Sequence, residues 1–205
     1  MLIIIELYHT FLIYYTFSER QEAMKPEKII YLVTHGEKTD DPNPGMTDKG
    51  KEQVRRLLPK IQKLMPEGPA EIHCGTGKRQ KEVVECLGFS FADAEISDVW
   101  GGPSTLTKTS GGKAILLADG TLVRWGNYKT SEHIGGDVIQ TAIRNLPHNS
   151  VICSGRPVLV RLGLRPEDCQ SGALYALHVM EDNSIQIELL VSGVNLSDGG
   201  AGARV

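Results

Sequence analysis

"KIIYLVTHGEKTD", residues 28–40, decides how the rest of the chain is read. Ile29 to Val33 is an apolar run of strand length, rich in residues that favour a pleated, buried strand. It ends abruptly in Thr34-His35-Gly36-Glu37. A buried strand with a histidine at its mouth and a glycine behind it is a place where chemistry can be held rigidly.

The pattern of short apolar runs alternating with amphipathic stretches continues outward from there. After the "DDPNPG" turn, Thr47 is placed to cap a helix with Val54, Leu57, Leu58, Ile61 and Leu64 on one face. "AEIHC" (70–74) reads as a second strand, and "KRQKEVVECLG" as a helix ended by Gly88. Residues 101–127 are rich in Gly and Thr, with "ILLADGTLV" a hairpin around Asp119-Gly120. A helix follows from about Ser131 through Leu146, burying Ile134, Val138, Ile139, Ala142, Ile143 and Leu146. "SVICS" (150–154) reads as a third strand and "PVLVRLGL" as a helix starting on Pro157. "ALYALHV" and "SIQIELLV" pair around Asp182-Asn183.

This alternation predicts an α/β fold with a mainly parallel sheet covered by helices on both faces. Ligands bind such sheets at the carboxyl ends of the strands. Three strands end in polar clusters: Thr34-His35-Gly36, Gly75-Thr76-Gly77 running into Lys78-Arg79, and Ser154-Gly155-Arg156. Brought to one rim, they place a histidine beside two or three cations, which is the outline of a phosphate site.

Composition narrows the alternatives. The chain has 205 residues, 40% hydrophobic and 23% charged, suited to one domain with a sizeable core. A net charge of -3 and a pI near 6.1 give no electrostatic case for nucleic acid or an anionic membrane. Cys74, Cys86, Cys153 and Cys169 are widely spaced with no CxxC pair, as expected of reduced structural thiols in a cytoplasmic protein. His73, His133, His148 and His178 show no metal-ligand spacing and read as structural, so no metal or cofactor is expected. Trp100, Trp125 and Tyr128 either line a substrate mouth or form a satellite apolar cluster.

The organisation predicted is an apolar extension over 1–23, a domain over 24–196 and a disordered tail over 197–205. The stretch "MLIIIELYHTFLIYYTF" is short and interrupted for a bilayer span, and lacks a basic start and small cleavage residues. An upstream extension of a start at Met24, an extra packed element and a weak anchor are the readings, in that order.

At this point the sequence resembles the histidine phosphatase superfamily. "IIYLVTHGEK" with "GMTDKGKEQVRRL" is similar to the family's opening strand, Arg-His-Gly signature and following helix start. "IHCGTGKRQKEVVECL" is similar to its second block, with Arg79 on the block's arginine and Glu82 on its helical Glu or Gln. "NSVICSGRPVLVRLGL" is similar to the last block, where a strand delivers a second histidine.

The resemblance implies a three-layer αβα sandwich of the phosphoglycerate mutase-like type. It also implies hydrolysis of a phosphomonoester through a phosphohistidine on His35. A neutral histidine attacks phosphorus, splitting one difficult transfer into two. Cations and hydrogen-bond donors hold the phosphoryl charge, and a carboxylic acid protonates the leaving oxygen. By the same resemblance Arg79 is a clamp and Glu37 a candidate acid, with Glu95 and Asp98 as alternatives. Thr34, Gly36, Lys78, Ser154, Gly155 and Arg156 are expected to contact the phosphorylated group.

Two departures stand out. Thr34 occupies the position of the family's first arginine, and Ser154 or Gly155 that of its second histidine. Losing one preorganised donor costs about 10²–10³ in rate, and two roughly 10⁴. The site therefore reads as degenerate, with Arg156 a candidate substitute clamp. Its partner is a phosphorylated small molecule or phosphoprotein. The alternative reading is an inactive module that binds such a group.

Overall fold

The computed structural model describes residues 25–40, 43–102, 105–109, 112–116, 122–124 and 136–193. The extension over 1–23, the tail over 197–205, Asp119-Gly120, Trp125, Tyr128, His133 and Ile134 lie outside the described residues.

The apolar run at the start becomes β1 (Lys28–Thr34). Then follow α1 (Asp48–Arg55), α2 (Leu58–Leu64), β2 (Ile72–Cys74), α3 (Lys78–Cys86) and β3 (Ala94–Ile96). Next come β4 (Thr105–Thr109), β5 (Gly112–Leu116), β6 (Leu122–Arg124) and α4 (Gly136–Asn145). The series closes with β7 (Val151–Ser154), α5 (Arg156–Arg161), β8 (Leu174–Val179) and β9 (Ile185–Val191). Six strands form one sheet in the order β3-β2-β7-β1-β8-β9. The pairs β3/β2, β2/β7 and β7/β1 are parallel, whereas β8 runs antiparallel to both β1 and β9. A separate antiparallel sheet contains β4-β5-β6.

Central position explains why β1 reads as a continuous apolar run: both of its faces are covered. Ile30 and Leu32 pack with Ile139 and Ile143 of α4 and Val158 and Leu159 of α5. Tyr31 and Val33 pack on the other face with Val54 of α1, Ile61 of α2, and Val83 and Val84 of α3. Each such aliphatic side chain removed from water is worth about 1.5–3 kcal/mol. The result is a three-layer α/β sandwich with a mainly parallel sheet.

Several expected boundaries need correction. The single helix expected after Thr47 is two, because Pro59 sits in the first turn of α2 and cannot donate to the preceding turn. Thr47 does cap α1, accepting from the Gly50 amide at 3.0 Å. Val138 is 46% exposed, since the inward stripe of α4 runs through Ile139 and Ile143 and leaves 138 on the flank. Strands β3 and β4 are additions; both are short, with little periodicity to reveal them. The β8–β9 hairpin turns at Asn183, whose φ of 64° is one that Asn tolerates better than most residues.

The turn after β1 is fixed by contact between two glycines. A Cβ on Gly36 would lie 2.1 Å from the Gly50 carbonyl oxygen, and one on Gly50 would lie 2.0 Å from the Glu37 carbonyl oxygen. The backbone after His35 thus lies directly on the first turn of α1. Gly50→Ala is expected to cost about 3 kcal/mol of stability through this clash, read as a lowered midpoint in urea. A midpoint equal to wild type would contradict the contact.

Candidate functional site

Parallel pairing brings the ends of β1, β7 and β2 together. Thr34 is level with Ser154, and Cys153 with Cys74. The ladder continues one residue further, with the His35 amide donating to the Ser154 carbonyl at 3.0 Å and the Gly172 amide donating to the His35 carbonyl at 2.9 Å. His35 is therefore held on both sides by backbone.

Its ring is equally constrained. Nδ1 lies 2.9 Å from the Gly36 carbonyl, which can only accept, so Nδ1 carries the proton. Nε2 is left with a lone pair, and it accepts from Arg79 Nε at 3.1 Å. Burial, then the charge of Arg79, and further the charges of Arg156 and Lys38, pull the imidazole from 6.5 down to about 3. The ring is neutral at physiological pH, with its unprotonated nitrogen facing a guanidinium. That is the protonation state a nitrogen nucleophile requires.

A pocket of about 400 Å³ opens beside this ring, with His35, Gly36, Lys38 and Arg156 in its lining. Burial, and then the Arg79 charge, lowers the Lys38 ammonium's pKa, as expected where cations are gathered. Burial likewise lowers Arg156. Arg156 enters from the first turn of α5, directly after the end of β7. The remaining wall is formed by Cys169, Gln170 and Ser171.

The other expected site residues divide. Gly155 lies against the ring: a Cβ there would stand 3.1 Å from His35 Nε2. Ser154 is fully buried, with its hydroxyl donating to the Trp100 carbonyl. Glu37 lines the pocket, but its carboxylate pairs with Lys49 at 3.2 Å and accepts from the Thr47 hydroxyl at 3.2 Å. Thr34 is not brought into the pocket; its hydroxyl donates to the Gln170 carbonyl at 2.8 Å and accepts from the Ala173 amide at 3.0 Å. Lys78 is exposed at the start of α3, its amide held by Asn43 Oδ1, and does not line the pocket. Among the alternative acids, Asp98 accepts from the Thr76 hydroxyl and Glu95 pairs with His73. Trp100 is core, stacked edge-on against His73.

Sequence reasoning left out several supports. Gln53 Oε1 accepts from the Glu37 amide at 2.8 Å, and Met46 Sδ accepts from the Gly36 amide at 3.2 Å. Glu82, which the sequence marked only by its resemblance to a helical Glu or Gln, accepts from the Met46 amide and fixes the loop that carries that sulfur. The spacing of Gly50 and Gln53 carried a signal for the first; nothing marks Met46. Among the described residues, no group of three or more His, Cys, Asp or Glu side chains is placed to hold a metal, and no helix is long and apolar enough to cross a membrane.

The fold has relatives among solved structures. The Mycobacterium tuberculosis protein of open reading frame Rv3214 is similar at 14% identity and a TM-score of 0.55, over 82% of this chain and all 100% of that one. A protein described as mycobacterial hydrolase 2 matches at 11% identity and a TM-score of 0.52, over 82% of this chain and 91% of that one. The mycobacterial glucosyl-3-phosphoglycerate phosphatase Rv2419c matches at 10% identity and a TM-score of 0.51, over 82% and 99%. No protein-family model matches the sequence, and no curated protein matches it. The neighbours belong to the histidine phosphatase superfamily, and this chain has their phosphoglycerate mutase-like fold. At these identities the likeness speaks for the fold.

The tautomer and the lowered pKa generate a direct prediction. In an NMR titration the His35 ring should remain neutral and Nδ1-protonated from pH 8 to pH 5; a midpoint near 6.5 would contradict the burial described. The unfolded chain takes up a proton near pH 6.5 that the folded ring refuses until about 3, so stability falls as the pH drops through that window. The slope from this one group is on the order of 1 kcal/mol per pH unit.

Proposed function

We propose that this protein hydrolyses phosphomonoesters through a phosphohistidine on His35, at a reduced rate. One observation carries the reading: a neutral imidazole, its Nε2 held by Arg79, lines a pocket beside Lys38 and Arg156, and the charges of all three cations act on that ring. Such a site suits a dianion and the transfer of its phosphorus to nitrogen.

In the first step the Nε2–P bond forms and the P–O bond to the leaving group breaks. The phosphoryl oxygens lie against Arg79, Arg156 and Lys38. Arg156, with its planar fork, supplies the charge that a cation at position 34 would have given. Glu37 at the pocket rim is the candidate acid: once parted from Lys49 and carrying a proton, it gives that proton to the leaving oxygen, and its carboxylate then takes one from the attacking water. Water then cleaves the N–P bond, releasing orthophosphate and restoring the neutral ring. The substrate is a phosphorylated small molecule or a phosphoprotein. We place the reaction in the cytoplasm; the four free cysteines support a reducing compartment, and burial pushes the Cys74 thiol up to about 12.

A second reading is favoured by a different observation. Ser154 at the end of β7 spends its hydroxyl on Trp100, and the Glu37 carboxylate is already paired. A site with cations but no ready acid suits a module that binds a phosphorylated group without turning it over.

Steady-state release of orthophosphate from an aryl phosphate separates the two. Hydrolysis predicts release that disappears in His35→Ala and falls about 10²-fold in kcat/KM in Arg156→Ala. Release equal in wild type and His35→Ala, from folded protein, would contradict a histidine nucleophile.

A further inference from the structure

Three successive carbonyls, those of Trp100, Gly101 and Gly102, each accept from a donor on the strand and helix ends around His35 rather than in the lining of the pocket. The Ser154 hydroxyl at the end of β7 donates to Trp100. The Thr76 amide just beyond β2 donates to Gly101 at 2.7 Å. Arg79 Nη2, in α3, donates to Gly102 at 3.4 Å, while its Nε is donated to His35 Nε2. Gly101 adopts φ 121°, a conformation that glycine alone takes at little cost, and this turn aims the carbonyls at three different donors. The segment is pinned by the Thr76 hydroxyl, which donates to Asp98 Oδ1 at 2.5 Å.

We propose that residues 98–102 are a built-in inhibitory latch, whose carbonyls hold the donors a phosphoryl group would otherwise use. The carbonyl at 102 and the nucleophile between them hold the Arg79 guanidinium on the His35 lone pair. A phosphorus atom cannot reach Nε2 until Arg79 Nε leaves it. An incoming phosphate competes with Gly102 for that guanidinium, and displacing the segment releases the Ser154 hydroxyl and the Thr76 amide to face the oxygens. The apparent affinity for phosphate is then the intrinsic affinity scaled by the fraction of molecules with the latch open. This inference rests on the reading of the pocket as a phosphoryl site.

Binding of inorganic phosphate, measured by calorimetry on wild type, Asp98→Ala and Thr76→Val, tests it. Both substitutions remove the Thr76–Asp98 bond and spare the His35, Arg79 and Arg156 side chains; Thr76→Val keeps the shape and the backbone amide but also removes the hydroxyl's 3.5 Å contact with the Gly101 carbonyl. The latch predicts phosphate affinity about fivefold tighter in both, the size expected from losing one such bond. A purely structural role predicts lower melting temperatures with unchanged or weaker phosphate affinity, and that result overturns the latch while leaving the phosphoryl site standing. Absence of phosphate binding in all three folded proteins overturns the phosphoryl site and the latch together.

Discussion

The contact of Gly36 with Gly50 is the constraint on which the site depends. With no side chain at either position, the backbone leaving β1 lies on the first turn of α1. That approach brings the Glu37 amide to Gln53 and the Gly36 amide to Met46. It also leaves the Gly36 carbonyl free to receive the His35 Nδ1 proton. The tautomer of His35 thus follows from a packing requirement further along the chain. Glycine at 36 was expected to admit a phosphate; its first task is to admit a helix.

The position before the histidine has been put to another use. Thr34 ties the end of β1 to Gln170 and Ala173, and so builds the wall of the pocket. The Tyr175 hydroxyl accepts from the Gln170 amide and secures the same wall from behind. Positive charge arrives instead from Arg156 on α5, from Lys38 and from Arg79. All three disfavour a protonated ring, so His35 is neutral with a threonine, not a cation, at position 34.

The parts of this architecture written in local pattern were legible in the sequence. A five-residue apolar run, a Thr before a periodic helix and a Gly after one identify β1, α1 and the end of α3, because each reflects burial or capping within a few residues. The convergence of His35, Arg79 and Arg156 was expected from the shared carboxyl-end rim of a parallel sheet, where three strands end in polar clusters. What the sequence hid depends on contacts across long separations. Glu37 looks available until Lys49 reaches it, and Lys78 looks like a clamp until α3 turns it to solvent. The run of carbonyls at 100–102 has no side-chain signature at all, since two of its three residues are glycines.

The claim at the centre of this account is that His35 Nε2 forms a bond to phosphorus. Rapid quenching into alkali during turnover of an aryl phosphate, followed by peptide mass analysis, tests it most directly. The account predicts an acid-labile phosphoryl group on the peptide containing His35, absent when position 35 is alanine. Turnover with no phosphoryl group on that peptide at any quench time would contradict it.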